Sequence, residues 1–181
     1  ALTGADGMSV KPDDNSGGSY GIGKNAPFAC SALSMVFYNT WDIDNNKAFI
    51  GVGRLATLLN ESRKPTQRVG RYQSNDDDAE KWLPIYESDN NEFRDLFVRQ
   101  AHGTDVIIVG FNETENWKED VAKAVLKNFF IAIAEKKLIV EIKDGNTITR
   151  IDESTLEDQI IKYAQDDVRQ MEKTRQLYIA Y

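Results

Sequence analysis

Six of the chain's 12 glycines fall within its first 23 residues: Gly4, Gly7, Gly17, Gly18, Gly21 and Gly23. Glycine loses more conformational freedom on ordering than any other residue, so this density opposes regular helix or strand. Residues 1–24 therefore read as a loop, and the fold must be built from residue 25 onward. A chain of 181 residues has room for one well-packed domain but not comfortably for two. Branched and aromatic residues recur along it, which excludes a disordered chain.

Beyond the loop, residues 26–36 are apolar and predict a helix, with Pro27 tolerated in its first turn. Met35–Trp41 and Ala48–Ala56 are rich in strand formers and flank a turn at Asp44–Lys47, the pattern of a hairpin. Residues 60–82 are polar, with a weak strand around Val69–Tyr72. The run Asn75-Asp76-Asp77-Asp78 reads as a solvated loop before it reads as a cation site. Phe93, Leu96, Phe97 and Ala101 have helical spacing over 91–101, and Gly103 ends that helix. Thr104–Phe111 predicts a buried strand.

A long helix comes next, opened by Asn116 with Glu119 three residues on, as in a capping box. Its expected core face is Trp117, Val121, Val125, Phe129 and Ile133, with Lys118, Lys123 and Lys127 outward. Leu138–Ile142 returns as a strand, Asp144-Gly145 turns it into Thr147–Ile151, and residues 154–177 predict a last helix of mixed charge. Hairpins mixed with helices imply an α+β fold, with helices layered on one face of a mixed, mostly antiparallel sheet.

Charge and composition narrow the function. With 29 acidic against 22 basic residues the net charge is −7, which argues against direct nucleic-acid binding by this segment. No apolar run approaches the roughly 20 residues of a membrane span. The one cysteine, Cys30, excludes an internal disulfide and reads as a small buried hydrophobe. With a single His102, cysteine–histidine catalysis and histidine-rich metal sites are remote. A reducing, cytoplasmic setting fits this usage.

The informative segment is Gly17-Gly18-Ser19-Tyr20-Gly21-Ile22-Gly23-Lys24-Asn25-Ala26. Closely spaced glycines let successive backbone N–H groups converge, and a helix behind them adds the positive end of its dipole. That is an anion cradle, for which a nucleotide phosphate is the usual occupant. Gly18 to Lys24 formally spells the front of a P-loop. Asn25, however, stands where Ser or Thr should hold magnesium, and residues 8–16 cannot form the buried strand that a P-loop leaves.

Gly18, Gly21, Ile22 and Gly23 also match G-x-x-G-hydrophobic-G, and here the chain resembles the lid of GHKL (Bergerat-fold) ATPases. That group includes DNA gyrase B, the heat-shock chaperones of the ninety-kilodalton class, MutL, histidine kinases and MORC proteins. Tyr20 looks like the aromatic residue several members carry before the second glycine. Gly103-Thr104 resembles the group's downstream Gly-Thr pair, whose threonine serves the adenine end. The order of elements is similar as well. The wording from Gly18 to Ser31, with Phe37-Tyr38 after it, resembles uncharacterised bacterial and phage-associated ATP-binding proteins over most of residues 15–180.

The resemblance implies a Bergerat-type two-layer sandwich over residues 1–151, with a lid loop at 1–24 and a helical extension at 152–181. It implies ATP binding through Gly18, Ser19, Tyr20, Gly21, Ile22, Gly23, Lys24 and Thr104. Lid closure would then be coupled to conformational change or homodimerisation. Two family elements have no counterpart here: the helix bearing the general-base Glu and magnesium-holding Asn, and Asp-x-Gly-x-Gly for the adenine. The expectation is accordingly that the chain starts after them. ATP and Mg2+ would then be bound largely through residues outside it, and hydrolysis would belong to the full-length protein. The alternatives are a non-catalytic interaction module of the same fold and the ATPase subunit of a DNA-processing system.

Overall fold

The computed structural model of the chain describes residues 23–74, 83–86, 92–164, 173–174 and 176–179. They form a mixed α+β fold with an antiparallel sheet, a separate hairpin and a few helices. Two compact units result, Ala1–Asn112 and Glu113–Tyr181. The long helix and the hairpin after it thus group with the last helix. The acidic run at 75–78 lies outside the described residues, as do residues 165–172 of the last predicted helix.

In the first unit β1 (Ser31–Trp41), β2 (Lys47–Arg54), β3 (Val69–Tyr72) and β5 (Gly103–Phe111) run in the order β3-β2-β1-β5, and β4 (Ile85–Tyr86) also pairs with β2. All pairings are antiparallel. The β1–β2 turn is closed by Asp42, whose carboxylate accepts the N–H groups of Asp44 at 2.9 Å and Asn46 at 2.8 Å. Hydrogen bonds from Asn46 and Asp44 also hold the Asp42 carboxyl below its ordinary range. The third strand coincides with the predicted one.

The helix predicted over 26–36 is a single turn, α1 (Ala26–Ala29), entered through a 3-10 turn at Gly23–Asn25. Ser31 already belongs to β1. Its hydroxyl donates to the Val109 carbonyl at 2.5 Å and accepts the Met35 N–H at 3.1 Å. Those bonds staple a bulge in which Ser34 takes φ 50. A short apolar run serves helix or strand equally, and the long-range partner decided it. Cys30, at the junction, is exposed rather than buried.

One face of this sheet carries an aromatic core. Phe37 stacks on Phe49 at 5.5 Å and Phe49 on Phe97 at 5.8 Å, with Phe93, Ile85, Ile107 and Val109 around them. The predicted helix over 91–101 is only a 3-10 turn, Arg94–Leu96. The segment is held to the sheet instead: Asn39 donates to the Phe97 carbonyl, and the Arg94 side chain donates to the Tyr86 carbonyl. Phe93 and Phe97 still reach the core, while Leu96 is 73% exposed. β5, expected to be buried, is the outermost of the described strands on its side and is half-open to solvent.

The second unit packs α2 (Trp117–Ala134) and α3 (Leu156–Ala164) with a hairpin of β6 (Val140–Asp144) and β7 (Thr147–Ile151). From α2 the buried side chains are Ala122, Leu126, Phe130 and Ile133, facing Ile142, Ile151, Leu156, Ile160 and Tyr163. The predicted stripe is therefore displaced. Ile133 is in the core and Trp117 and Val125 lie at its margin, but Phe129 is 51% exposed and Val121 is also exposed. Apolar residues occupy both stripes, and only contacts with α3 and the hairpin select between them.

Asn116 makes no side-chain cap. The other end of α2 is well closed: Lys136 takes φ 60, with Lys137 N–H to Ala132 O at 2.8 Å and Lys136 N–H to Ile133 O at 2.9 Å, a Schellman motif. That closure delays the returning strand from residue 138 to Val140. Among the described residues, no helix is long and apolar enough to cross a membrane.

Candidate functional site

Successive side chains of a strand point to opposite faces. The registers Val36↔Val52, Tyr38↔Ile50 and Thr40↔Thr104 therefore gather Val36, Tyr38, Thr40, Ile50, Arg54 and Thr104 opposite the aromatic core. Val36, Tyr38 and Ile50 are buried there, with Phe28 of α1 packed on them. Burial pushes the Tyr38 hydroxyl above its ordinary pKa, and the Arg54 charge opposes that shift. The Arg54 guanidinium lies 4.4 Å above the Phe28 ring and donates to Asn25 Oδ1. The turn at Gly23–Asn25 is thereby tied to this face. Further along, the Thr40 and Thr104 hydroxyls are 3.1 Å apart and exposed.

Of the predicted site residues, Gly18, Ser19, Tyr20, Gly21 and Ile22 lie outside the described residues. Gly23 and Lys24 form the turn before α1, and a Cβ at Gly23 would meet nothing within 4 Å. Thr104 stands toward the other end of the same face. Arg54, which anchors the turn, comes directly after the Gly53↔Met35 pair, whereas Thr104 pairs with Thr40. From Met35 to Thr40 is five residues of β1, about 17 Å of strand, and Arg54 lies beyond the Met35 level. The two thus share a face without touching. The helix expected behind the glycines supplies only one turn of dipole.

Gly103 has a local reason to be glycine. Its φ is +139, and a Cβ would stand 2.6 Å from Arg99 Nη2. Arg99 pairs with the Asp105 carboxylate and donates to the carbonyls of Ala101 at 3.0 Å and His102 at 3.4 Å. His102 packs its ring against Trp41 at 4.8 Å. Beside these residues, on the aromatic face, is a cleft of about 90 Å³ lined by Asn39, Trp41, Lys47, Arg94, Phe97 and Arg99. Its two arginines are matched by Asp95 and Asp105. Asn39 reaches both the Phe97 carbonyl and Asp105, so this network clasps residues 93–99 onto the sheet.

A second, apolar depression of about 240 Å³ lies over Met35, Phe37, Gly51, Gly53, Gly70 and Tyr72. Neither cavity is lined by Gly23, Lys24 or Thr104. Among the described residues no group of three or more His, Cys, Asp or Glu side chains could hold a metal ion. Sequence reasoning missed Arg54 and Tyr38. The signal that could have found them was the alternation Val36-x-Tyr38-x-Thr40 opposite Ile50-x-Val52-x-Arg54, which places a cation at the end of an apolar face. Comparison with protein-family models, curated proteins and solved structures gives no match in any of the three.

Proposed function

We infer that the protein binds ATP, with Mg2+, in a pocket of the GHKL type. Its glycine-rich lid at residues 1–24 covers the phosphates, and Thr104 serves the adenine end. The Bergerat-type arrangement, a sheet with one face turned to a nucleotide, belongs to this reading, as does hydrolysis by the full-length protein. Closure of the lid would drive rearrangement or pairing of two copies, in a cytoplasmic setting. One observation carries the proposal: the turn that ends the glycine-rich segment and Thr104 lie on the same face of one antiparallel sheet, apart from the aromatic core. Glycines that free backbone N–H groups for an anion at one end, and a hydroxyl at the other, suit a ligand with a phosphate tail and a polar base.

The test is titration of the full-length protein with a fluorescent ATP analogue in magnesium buffer. Saturable binding that disappears when Gly21→Val and Gly23→Val are combined is expected. Binding untouched by the double substitution removes the lid assignment. A protein that takes up no nucleotide at all is instead the non-catalytic interaction module.

A further inference from the structure

Arg54 is held unlike the two arginines on the aromatic face of the sheet. Arg94 and Arg99 are each matched by a carboxylate, Asp95 and Asp105. Among the described residues, no carboxylate pairs with Arg54. The groups that fix it are neutral: the Asn25 amide oxygen, which accepts from Nη2, and the Phe28 ring, 4.4 Å from the guanidinium carbon. In a chain with 29 acidic residues against 22 basic ones, an arginine positioned by neutral neighbours keeps its charge for something else. Arginine's planar fork has five donors and suits phosphate oxygens, and stacking on an aromatic ring fixes its plane before a ligand arrives.

We propose that Arg54 is the phosphate-recognising cation of the nucleotide site, presented beside the turn Gly23–Asn25, with Asn25 and Phe28 as its positioning residues. This inference rests on the ATP-binding reading. The chemistry is non-covalent: guanidinium N–H groups donate to non-bridging phosphate oxygens, and no bond is made or broken. Among the described residues Asn25 takes only Nη2, which leaves the rest of the fork to donate to the ligand.

The experiment compares the full-length wild type, Arg54→Gln and Arg54→Lys by titration with fluorescent ATP at low and high salt. Gln keeps an amide that can donate to Asn25 while removing the charge. Arg54→Gln is expected to weaken binding roughly tenfold or more and to flatten the salt dependence. Arg54→Lys, a point charge without the fork, should fall between. Equal binding and equal salt dependence in wild type and Arg54→Gln overturns the inference while leaving nucleotide binding intact. A wild type that binds no ATP overturns the nucleotide reading and this inference together. If Arg54→Gln loses the near-ultraviolet circular dichroism of the folded protein, Arg54→Lys decides: wild-type affinity there excludes a role for the fork.

Discussion

Asp152 and Thr155 cap one another. Oδ1 of Asp152 accepts the Thr155 N–H at 3.2 Å, and Oγ1 of Thr155 accepts the Asp152 N–H at 3.0 Å. This reciprocal box sets the start of α3, and Arg150 braces it by donating to Asp152 Oδ2 at 2.6 Å. Hydrogen bonds from Arg150 and then Ser154 hold the Asp152 carboxyl well below the usual carboxylate range. A carboxyl depressed in the folded state adds stability that is fully present above its unfolded pKa, about 3.9. That stability is lost as the pH falls through the folded value.

Urea unfolding followed from neutral pH downward should therefore show a midpoint that drops below about pH 4. Asp152→Asn should flatten the drop. Some slope will remain, because Lys143 and Arg150 depress Glu141 in the same direction. A variant with the full wild-type slope would rule out Asp152 as a source of the acid sensitivity.

Gly51 and Gly53 lie two residues apart on one face and should respond differently to a methyl group. A Cβ at Gly51 would run into the Phe37 ring and stand 2.8 Å from Tyr72 Cβ, whereas at Gly53 the nearest atom is Met35 Cε at 3.6 Å. Gly51→Ala should cost about 1–3 kcal/mol through overpacking. Gly53→Ala, in ordinary contact, should be within about 0.5 kcal/mol of neutral. Thermal unfolding of the two variants side by side checks the register of β1 and β2.

On α2, Leu126 is fully buried and Phe129 is 51% exposed. Leu126→Ala should cost about 2–5 kcal/mol, the range for emptying a core site. Phe129→Ala should cost clearly less than the roughly 3–5 kcal/mol expected of a buried phenylalanine. The reverse ranking in denaturant unfolding would restore the stripe expected from sequence.

Lys136 adopts φ 60 at the position after the α2 C-cap, where helices that end on a left-handed residue usually place glycine. Lys136→Gly should stabilise the protein by about 0.5–1 kcal/mol, since the left-handed conformation is strained for a residue with a Cβ. A higher melting temperature is the expected readout; a lower one would place Lys136 outside that conformation.

The parts of the fold visible in sequence were those closed by local chemistry. Asp144-Gly145 marks a two-residue turn, and β6 and β7 pair across it. Val69–Tyr72 is bounded by polar residues and is a strand as expected. What escaped was decided at long range. Ser31 becomes strand because its hydroxyl meets Val109, 78 residues away. Phe93 and Phe97 keep helical spacing in a segment whose carbonyl is claimed by Asn39. The Asp152–Thr155 cap was legible in principle, as Asp-x-x-Thr before an apolar run, but Asn116-x-x-Glu119 matched the usual box better and makes no such bond. At the candidate site Gly23, Lys24 and Thr104 stood out as motif letters. Arg54 did not, because only pairing of β2 against β1 brings it to the turn at the end of the glycines.

Cys30 joins α1 to β1, its carbonyl held by the Asn112 N–H at 2.8 Å and its thiol exposed. As the only thiol in the sequence, it can take a single dye or spin label without any residue first being replaced. The junction it occupies joins the turn at Gly23–Asn25, through α1, to the first strand of the sheet. The wild-type chain thus carries its own attachment point for a probe at the entry to the sheet.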